Sequence, residues 1–459
     1  MADYDPPLPR RSRALDVADV SGMINRETRE ISHRVYTDRD LYELELEKLW
    51  SKAWVAIAHD SEIPNVGDFV TRRIGDDPVI VIRDKDGVKC LLNVCPHRGA
   101  AVCRTDRGNA PLLRCIYHGW TFARDGTFRG APFKGEMYPS GLDKQSVSIR
   151  AARVEVCAGI VFMCWDEDAP PLDEYLGDFR WYLKALLERT DDGLEVIGSP
   201  QRFVINANWK VASEQFAGDA YHASQLHKSL GELRGMDPND PQVWGMCDTK
   251  VATHEGHAVI CFHQAKRFGR GVPGFEELPA IEKLRLFPPP GMPSEMVDQL
   301  PARFPPNELN ALADTPPSNG IVFPNLGIWS TTSMLPDGTL TSFLSLRTYV
   351  PHGVDQFEFV MWVLAEKGSS DTFRQNMIRV TSLAQGAAGF VEQDDAEVWP
   401  SASAGGRGFI GRQNTLKYLA SSEHRPPPDW PGGGLVATDF SRDDSQWLWW
   451  NRYFDFLTQ

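Results

Sequence analysis

Two short segments of this chain each place a cysteine close to a histidine, and they constrain its fold more than any other feature. The first reads CPHRG, with Cys95 and His97, and the second reads CIYHG, with Cys115 and His118. Seventeen residues separate His97 from Cys115. Because thiolates and imidazoles are strong metal ligands, each segment can supply one sulfur and one nitrogen from a single tight loop. This part of the chain is therefore expected to fold around a metal centre.

Two kinds of metal centre use such ligands. Zinc is often bound by two cysteines and two histidines, usually with like residues grouped along the chain. A Rieske [2Fe–2S] cluster has histidines in place of cysteines on one of its two irons. Here each segment holds one residue of each type, and Gly99 and Gly119 allow the backbone to approach a bulky cofactor closely. The pattern favours the Rieske cluster, with zinc as the alternative.

Short apolar runs joined by turn residues surround both segments. The runs 79–82 and 88–94 flank the turn DKDG, and the runs 120–122 and 127–128 flank RDG, which predicts two β-hairpins. The apolar run 154–165, VEVCAGIVFMCW, predicts one buried strand. This stretch is therefore expected to form an all-β domain.

A second group of potential metal ligands, Asp219, His222 and His227, lies in a stretch with helical character at 209–230. On a regular helix Asp219 and His222 share a face, whereas His222 and His227 point about 140° apart. Both histidines can bind one metal only if the helix widens into a π-bulge or ends there. Taken alone, this spacing is also compatible with ordinary surface or core histidines.

A Rieske cluster only transfers electrons, so the protein needs a site that accepts them. The first centre therefore favours a metal-binding role for the second group of residues. Two histidines and one carboxylate, with open coordination positions, are the ligands expected for a non-haem Fe(II) oxygenase. The carboxylate is expected far along the chain, in the segment EQDDAE at 392–397, which contains Asp394 and Asp395.

The motifs together resemble a known family. CPHRGA and CIYHGW are similar to the Rieske domain, and NWK…EQFAGDAYH…H to the iron-binding segment, of the large (alpha) subunits of Rieske non-haem iron aromatic-ring-hydroxylating oxygenases, of the naphthalene and polycyclic aromatic hydrocarbon dioxygenase type. This resemblance implies that Cys95, His97, Cys115 and His118 bind the cluster. One position departs from the pattern, since Gln215 stands where many naphthalene-type enzymes carry Asn.

The resemblance also implies a second set of roles. His222, His227 and Asp395 would bind one mononuclear Fe(II) per chain, with Asp394 as the other choice of carboxylate. Asp219 would be the catalytic bridge that carries electrons, bonded to His222 and to the residue matching His118 in an adjacent subunit. A carboxylate in this place also fixes the tautomer of a metal-bound imidazole.

The implied activity is that of an O2-dependent dioxygenase that forms cis-dihydrodiols from hydrophobic aromatic substrates, polycyclic ones included. Electrons from NADH would arrive through a reductase and a ferredoxin, because the chain has no G-x-G-x-x-G fingerprint after a predicted strand. A small beta subunit is expected in an α3β3 assembly, with α3 as the alternative. Phe216, Ala223 and Phe390 are candidates for substrate contact.

Other functions compete with this one. A Rieske monooxygenase acting on an aromatic acid would use the same ligands. A Rieske electron-transfer protein, from a different functional class, would need only residues 65–165 and would leave the second motif unexplained. A zinc-binding interaction module is the third alternative.

The remaining sequence predicts an α+β fold in three parts: an N-terminal arm and helix (1–45), an all-β Rieske domain (46–165), and a mixed catalytic domain with an antiparallel sheet flanked by helices (166–459). Within the last part, 265–320 holds eleven prolines and predicts an irregular loop or lid. The run 321–365 predicts strands, and 447–457 predicts a buried or interface helix.

Charge and composition narrow the possible partners and the compartment. The net charge of −14 argues against binding to nucleic acid or to an anionic membrane. No run of 18 apolar residues predicts a membrane span, and the N-terminal residues lack the apolar core of a secretory signal. Eight cysteines in 459 residues do not suggest a disulfide framework, so a reducing, cytoplasmic compartment is expected.

Overall fold

Antiparallel pairing organises every sheet in the described part of the chain. The structure is a computed structural model and describes residues 15–233, 249–267, 272–335, 337–438 and 442–459. The strands are β1 (Ile24–Asn25), β2 (Glu30–Ser32), β3 (Val55–His59), β4 (Asp68–Ile74), β5 (Asp77–Asp84), β6 (Gly87–Leu92), β7 (Arg107–Asn109), β8 (Leu113–Arg114), β9 (Thr121–Phe122), β10 (Phe128–Gly130), β11 (Ala151–Cys157), β12 (Ile160–Cys164), β13 (Leu194–Val196), β14 (Gln201–Ile205), β15 (Thr249–Ala252), β16 (Ala258–Cys261), β17 (Pro317–Val322), β18 (Leu326–Met334), β19 (Leu340–Pro351), β20 (Phe357–Glu366), β21 (Thr415–Lys417) and β22 (Leu435–Ala437). The α-helices are Val17–Ser21, Arg39–Glu45, Lys134–Met137, Leu172–Leu176, Phe179–Leu187, Trp209–Phe216, Ala223–Leu226, Lys228–Leu233, Gln264–Arg267, Ala280–Leu286, Leu300–Arg303, Pro306–Asp314, Asp371–Gln385, Glu392–Ala404 and Asp444–Thr458.

Two sheets build the region around the Cys–His segments. A seven-stranded sheet has the order β3-β12-β11-β6-β5-β4-β7, and a small sheet has the order β10-β9-β8. The predicted hairpins are confirmed, since β5 pairs with β6 and β9 with β10. A core that includes Trp120, Phe122 and Phe128 fills the space between the sheets and the two cysteines. The first Cys–His segment follows β6, and the second lies between β8 and β9.

The single buried strand predicted at 154–165 is wrong. The structure has two strands there, β11 and β12, which pair with Cys157 opposite Ile160. The connecting residues Ala158 and Gly159 both have positive φ, +54° and +78°, as the tight turns of two-residue hairpins require. Apolar residues on both sides of these two small residues hide the turn from a reading of periodicity.

A large antiparallel sheet forms the centre of the catalytic region. Its order is β13-β20-β19-β18-β17-β16-β15-β22, and β14 also pairs with β20. The strands predicted at 321–365 and the α+β fold class are thereby confirmed. Asp444–Thr458, here called the aromatic helix, is buried along most of its length, which confirms the helix predicted at 447–457. No helix in the described ranges is long and apolar enough to cross a membrane.

The irregular loop predicted at 265–320 is also wrong for most of the residues described there. From Pro279 onward the chain forms three short α-helices and a 3-10 turn, Ser294–Gln299. Prolines stand at the start of these elements, for example Pro279, Pro293 and Pro305 at N-cap positions. A proline there costs no helical hydrogen bond, because the first N–H groups of a helix have no internal acceptor. Residues 268–271 lie outside the described residues.

A buried polar cluster joins three distant segments beside the catalytic region. Glu45 is fully buried and accepts hydrogen bonds from Trp209 Nε1 at 2.9 Å, Lys210 Nζ at 2.5 Å and Tyr453 OH at 2.6 Å. Burial lowers the pKa of Lys210, while the Glu45 carboxylate opposes that shift. The cluster fixes the start of the helix Trp209–Phe216, which leads to the histidines of the second motif.

Candidate metal centres

The two Cys–His segments fold into loops with the same backbone hydrogen bonds. In each loop the cysteine N–H donates to the carbonyl five residues later, and the glycine N–H donates back to the cysteine carbonyl. The bonds are Cys95 N to Ala100 O at 2.8 Å, Gly99 N to Cys95 O at 2.9 Å, Cys115 N to Trp120 O at 2.8 Å and Gly119 N to Cys115 O at 3.0 Å. Both glycines have positive φ, +74° and +72°, a conformation that favours glycine.

The loops bring like ligands together in space although they alternate along the chain. Cys95 and Cys115 are each 2% exposed and belong to the same buried cluster. The His97 and His118 rings lie together on the outer side, with centroids 4.5 Å apart. Both Nδ1 atoms are buried without a hydrogen-bond partner among the described residues, as expected for atoms reserved for a metal. This donor set fits a [2Fe–2S] cluster with thiolates at one end and imidazoles at the other.

The second motif does not form the continuous helix predicted at 209–230. The helix Trp209–Phe216 ends before Gly218, whose φ is +128°. A short helix, Ala223–Leu226, follows, and the two histidines flank it directly, with His222 before it and His227 after it. The helix ends at His227, and the two imidazole rings come together, with their centroids 5.2 Å apart.

One carboxylate lies between these imidazoles. Asp395 Oδ1 is 3.6 Å from His222 Nε2, and Asp395 Oδ2 is 3.6 Å from His227 Nε2. The ligand atoms of the three residues all lie within 4.8 Å of one another. The neighbouring Asp394 lies outside this group, with Oδ2 3.2 Å from His227 Nδ1. The structure therefore groups Asp395 with the two histidines as a possible metal site, whereas Asp394 contacts the other nitrogen of His227.

Asp219 lies on the far side of His222. Its Oδ1 accepts the His222 backbone N–H at 3.1 Å, and its Oδ2 lies 3.5 Å from His222 Nδ1. Burial is the largest single influence on Asp219 and disfavours its charged form, but the contacts with His222 and the charge of Lys250 together outweigh burial and lower the pKa of Asp219. A carboxylate in this position holds Nε2 of His222 towards Asp395 and His227.

Sequence reasoning singled out Gln215 but missed its contact with Asp395 and the other residues that surround the three potential ligands. Gln215 Nε2 donates to Asp395 Oδ1 at 2.8 Å, and the indole N–H of Trp399 donates to Gln215 Oε1. Beneath them, the fully buried Arg347 forms an ion pair with Glu392 at 3.0 Å. The helical spacing of Glu392, Asp395 and Trp399, three and four residues apart, is the one signal that could have placed them together.

The candidate substrate contacts differ in their surroundings. The Arg347 guanidinium lies over the ring of Phe216, and its Cζ atom is 4.7 Å from the ring centroid. Ala223 is half-buried beside His222, and Phe390 is 39% exposed. Asn325 is fully buried and bonded to both the N–H and the carbonyl of Ala56.

Comparison with known proteins agrees with both centres. Residues 53–145 match the Rieske [2Fe-2S] domain, and residues 172–426 match the ring hydroxylating alpha subunit (catalytic domain). The chain is 32% identical to the biphenyl dioxygenase subunit alpha of Metapseudomonas furukawaii, over 92% of this chain and 91% of that protein. It is 33% identical to the N,N-dimethyl phenylurea N-demethylase subunit alpha of Sphingobium sp. (strain YBL2), over 90% and 89%.

A solved structure has the same fold as this chain. The crystal structure of naphthalene 1,2-dioxygenase from Rhodococcus sp. bound to indole superposes with a TM-score of 0.82 at 32% identity, over 96% of this chain and 97% of that one. The family is characterised by a Rieske [2Fe–2S] domain and a non-haem iron catalytic domain, and the two matched ranges contain the two donor sets described above. The chain therefore belongs to the family of ring-hydroxylating oxygenase alpha subunits.

Proposed function

We propose that this chain is the catalytic subunit of an O2-dependent aromatic ring-hydroxylating dioxygenase. The observation that carries the proposal is the group formed by His222, His227 and Asp395, which is the ligand set of non-haem Fe(II) oxygenases. Fe(II) in this site would supply the activation of O2, with both oxygen atoms entering an aromatic ring to give a cis-dihydrodiol.

The surrounding residues have separate tasks in this proposal. Cys95, His97, Cys115 and His118 hold the cluster that supplies electrons. Asp394 and Asp219 each contact the outer nitrogen of one ligand histidine, so they fix the tautomer and the orientation of that ring.

Asp219 also carries electrons between subunits in the proposed assembly. Its side chain is about one third exposed, and so is within reach of another chain. The cluster loops offer a matching surface, because Ile116 and Tyr117, next to His118, are 69% and 59% exposed. The assembly is proposed to be α3β3, with α3 as the alternative, and to receive electrons from NADH through a reductase and a ferredoxin.

The proposed domains separate the cluster from the mononuclear iron site. Residues 1–45 form an arm and helix on the catalytic domain, 46–165 the Rieske domain, and 166–459 the catalytic domain.

The proposed substrate is a hydrophobic aromatic compound bound near Phe216, Ala223 and Phe390. Arg347 offers no free positive charge to an aromatic acid, because Glu392 and Gln385 already bind its guanidinium.

A second candidate is oxidative N-demethylation. It is favoured by one observation, the 33% identity to a protein named as an N-demethylase subunit alpha. The same three ligands serve both reactions, so the metal site does not distinguish them. The products do, because a demethylase releases formaldehyde and a dioxygenase places two hydroxyl groups on adjacent carbons.

The test combines metal analysis with isotope labelling. Anaerobically purified protein should contain about three irons and two sulfides per chain and give a Rieske-type electron paramagnetic resonance signal after reduction by dithionite. With naphthalene or biphenyl, ¹⁸O2 and an electron-donor system, both product oxygens should carry the label. Two irons per chain at full loading would support a bare electron carrier, and zinc without sulfide would contradict the proposal.

A further inference from the structure

The side-chain amide of Gln215 lies directly against the proposed iron ligands. Its Nε2 is 2.8 Å from Asp395 Oδ1 and 3.1 Å from His222 Nε2. These are two of the atoms whose lone pairs would bind iron. The orientation of this amide therefore decides whether a nitrogen or an oxygen atom of Gln215 faces the metal position.

Trp399 determines that orientation. The indole N–H donates to Gln215 Oε1, and the Trp399 side chain is only 2% exposed. Its ring packs against the ring of Phe357, with centroids 6.0 Å apart, so the indole cannot easily turn away. Trp399 comes four residues after Asp395, so the ligand and the residue that orients its neighbour share one face of the helix Glu392–Ala404.

The opposite orientation of the amide would be unfavourable on both sides. The NH2 group would face the indole N–H, which would leave a buried donor without an acceptor. The amide oxygen would face the carboxylate oxygen of Asp395, where two acceptors would repel each other. The side chains of Trp399 and Asp395 thus select the same orientation from opposite ends of the amide.

We propose that Trp399 is a positioning residue that keeps the oxygen of Gln215 away from the metal position. An amide oxygen can bind a metal ion, whereas the NH2 nitrogen cannot, because its lone pair is delocalised into the carbonyl. With the oxygen held by Trp399, Gln215 cannot become a fourth protein ligand, and a coordination position stays open for O2. This inference rests on the proposed function, in which His222, His227 and Asp395 bind iron.

Three variants test it: Trp399→Phe, Gln215→Leu and the double variant. Each full-length protein is loaded with cobalt(II) in the mononuclear site, and metal content is measured first. The cobalt spectrum is then recorded by electron paramagnetic resonance with the Rieske cluster oxidised, a state in which the spins of its two irons cancel. The cobalt spectrum reports coordination number without requiring turnover.

Trp399→Phe is expected to shift the cobalt spectrum towards a higher coordination number, because the freed amide can turn its oxygen to the metal. The same substitution in the Gln215→Leu background should produce no shift, since no amide remains. A shift in both backgrounds would show a general packing effect, and no shift in either would show that Trp399 does not control the site. Either result overturns the inference, whereas failure of every protein to bind cobalt would instead contradict the proposed iron site.

Discussion

Two adjacent aspartates next to the iron position have different surroundings. Consecutive residues on a helix point about 100° apart, so Asp394 and Asp395 cannot both face the space between the histidines. Asp395 faces the Nε2 atoms of both rings, and Asp394 contacts Nδ1 of His227 from outside. The proposed ligand and the residue proposed to orient His227 are therefore neighbours in sequence but contact different atoms.

Replacing each aspartate with alanine should separate these roles. Asp395→Ala is expected to lose the mononuclear iron and activity, while the two cluster irons and two sulfides remain. Asp394→Ala is expected to keep the site but to bind iron roughly 10- to 100-fold more weakly, because His227 loses the partner that orients it. Iron and sulfide analysis after dialysis against graded chelator measures both effects. The reverse order of effects would mean that Asp394 is the ligand.

A buried histidine far from the metals makes stability depend on pH. His257 is fully buried; its Nε2–H donates to the Tyr175 carbonyl at 2.8 Å, and its Nδ1 accepts the Phe323 N–H at 3.0 Å. Burial lowers the pKa of His257 from 6.5 to about 4. Between these values the unfolded chain binds a proton that the folded chain excludes, so the free energy of unfolding falls as the pH falls.

Because of His257, the free energy of unfolding should fall by about 2 kcal/mol when the pH is lowered from about 7 to about 5. Urea unfolding at the two pH values measures it against His257→Gln, whose amide can make both hydrogen bonds without titrating in this range. The wild-type protein should lose more stability than the variant on acidification. An equal loss in both proteins would show that His257 carries a proton in the folded state or contributes nothing.

At the scale of elements, local pattern predicted most of the fold but not where the helices break. The hairpins around the Cys–His segments could be predicted from their turn residues. The Cys–His loops could be predicted too, because the residues that define each loop lie close together in sequence. The end of the helix at Phe216 and its restart at Ala223 depend on Gly218 and on packing against the aromatic helix, which a helical periodicity does not record. Asp395 and Trp399 meet Gln215 over about 180 residues of intervening sequence, so no local signal joins them.

The buried Glu45 cluster is an element-scale contact with a measurable cost of disruption. Lys210→Met should lower the free energy of unfolding by roughly 3 to 5 kcal/mol, because it leaves a buried carboxylate without its cation. Thermal unfolding followed by near-ultraviolet circular dichroism measures this loss. The double variant with Glu45→Gln should recover part of it, since no unpaired charge remains. A double variant no more stable than Lys210→Met would mean that packing, and not charge, explains the loss.

At the scale of the whole molecule, the proposed electron route between subunits can be tested by mixing two inactive chains. His222→Ala should keep the cluster but lose the catalytic iron, and His118→Ala should lose the cluster but keep the iron site. Random mixing in a three-fold ring places a cluster-bearing neighbour beside half of the intact iron sites. Co-expressed, differently tagged chains should therefore recover roughly a quarter of wild-type activity. Activity no greater than that of the separate variants would place electron transfer within one chain.

The contact between Glu45 and Tyr453, 408 residues apart, also sets an order of events during synthesis. The strands around the cluster loops pair only among residues 55–164, so their backbone hydrogen bonds need no residue that is synthesised later. The catalytic core must wait for the aromatic helix, which at 5 to 20 residues per second means a delay of roughly 15 to 60 s. Ribosome-bound chains stalled near residue 220 should already resist protease over the β domain, and sensitivity there would contradict this order. If this order holds, the cluster loops are complete well before the catalytic region, which would leave an interval for loading the cluster first.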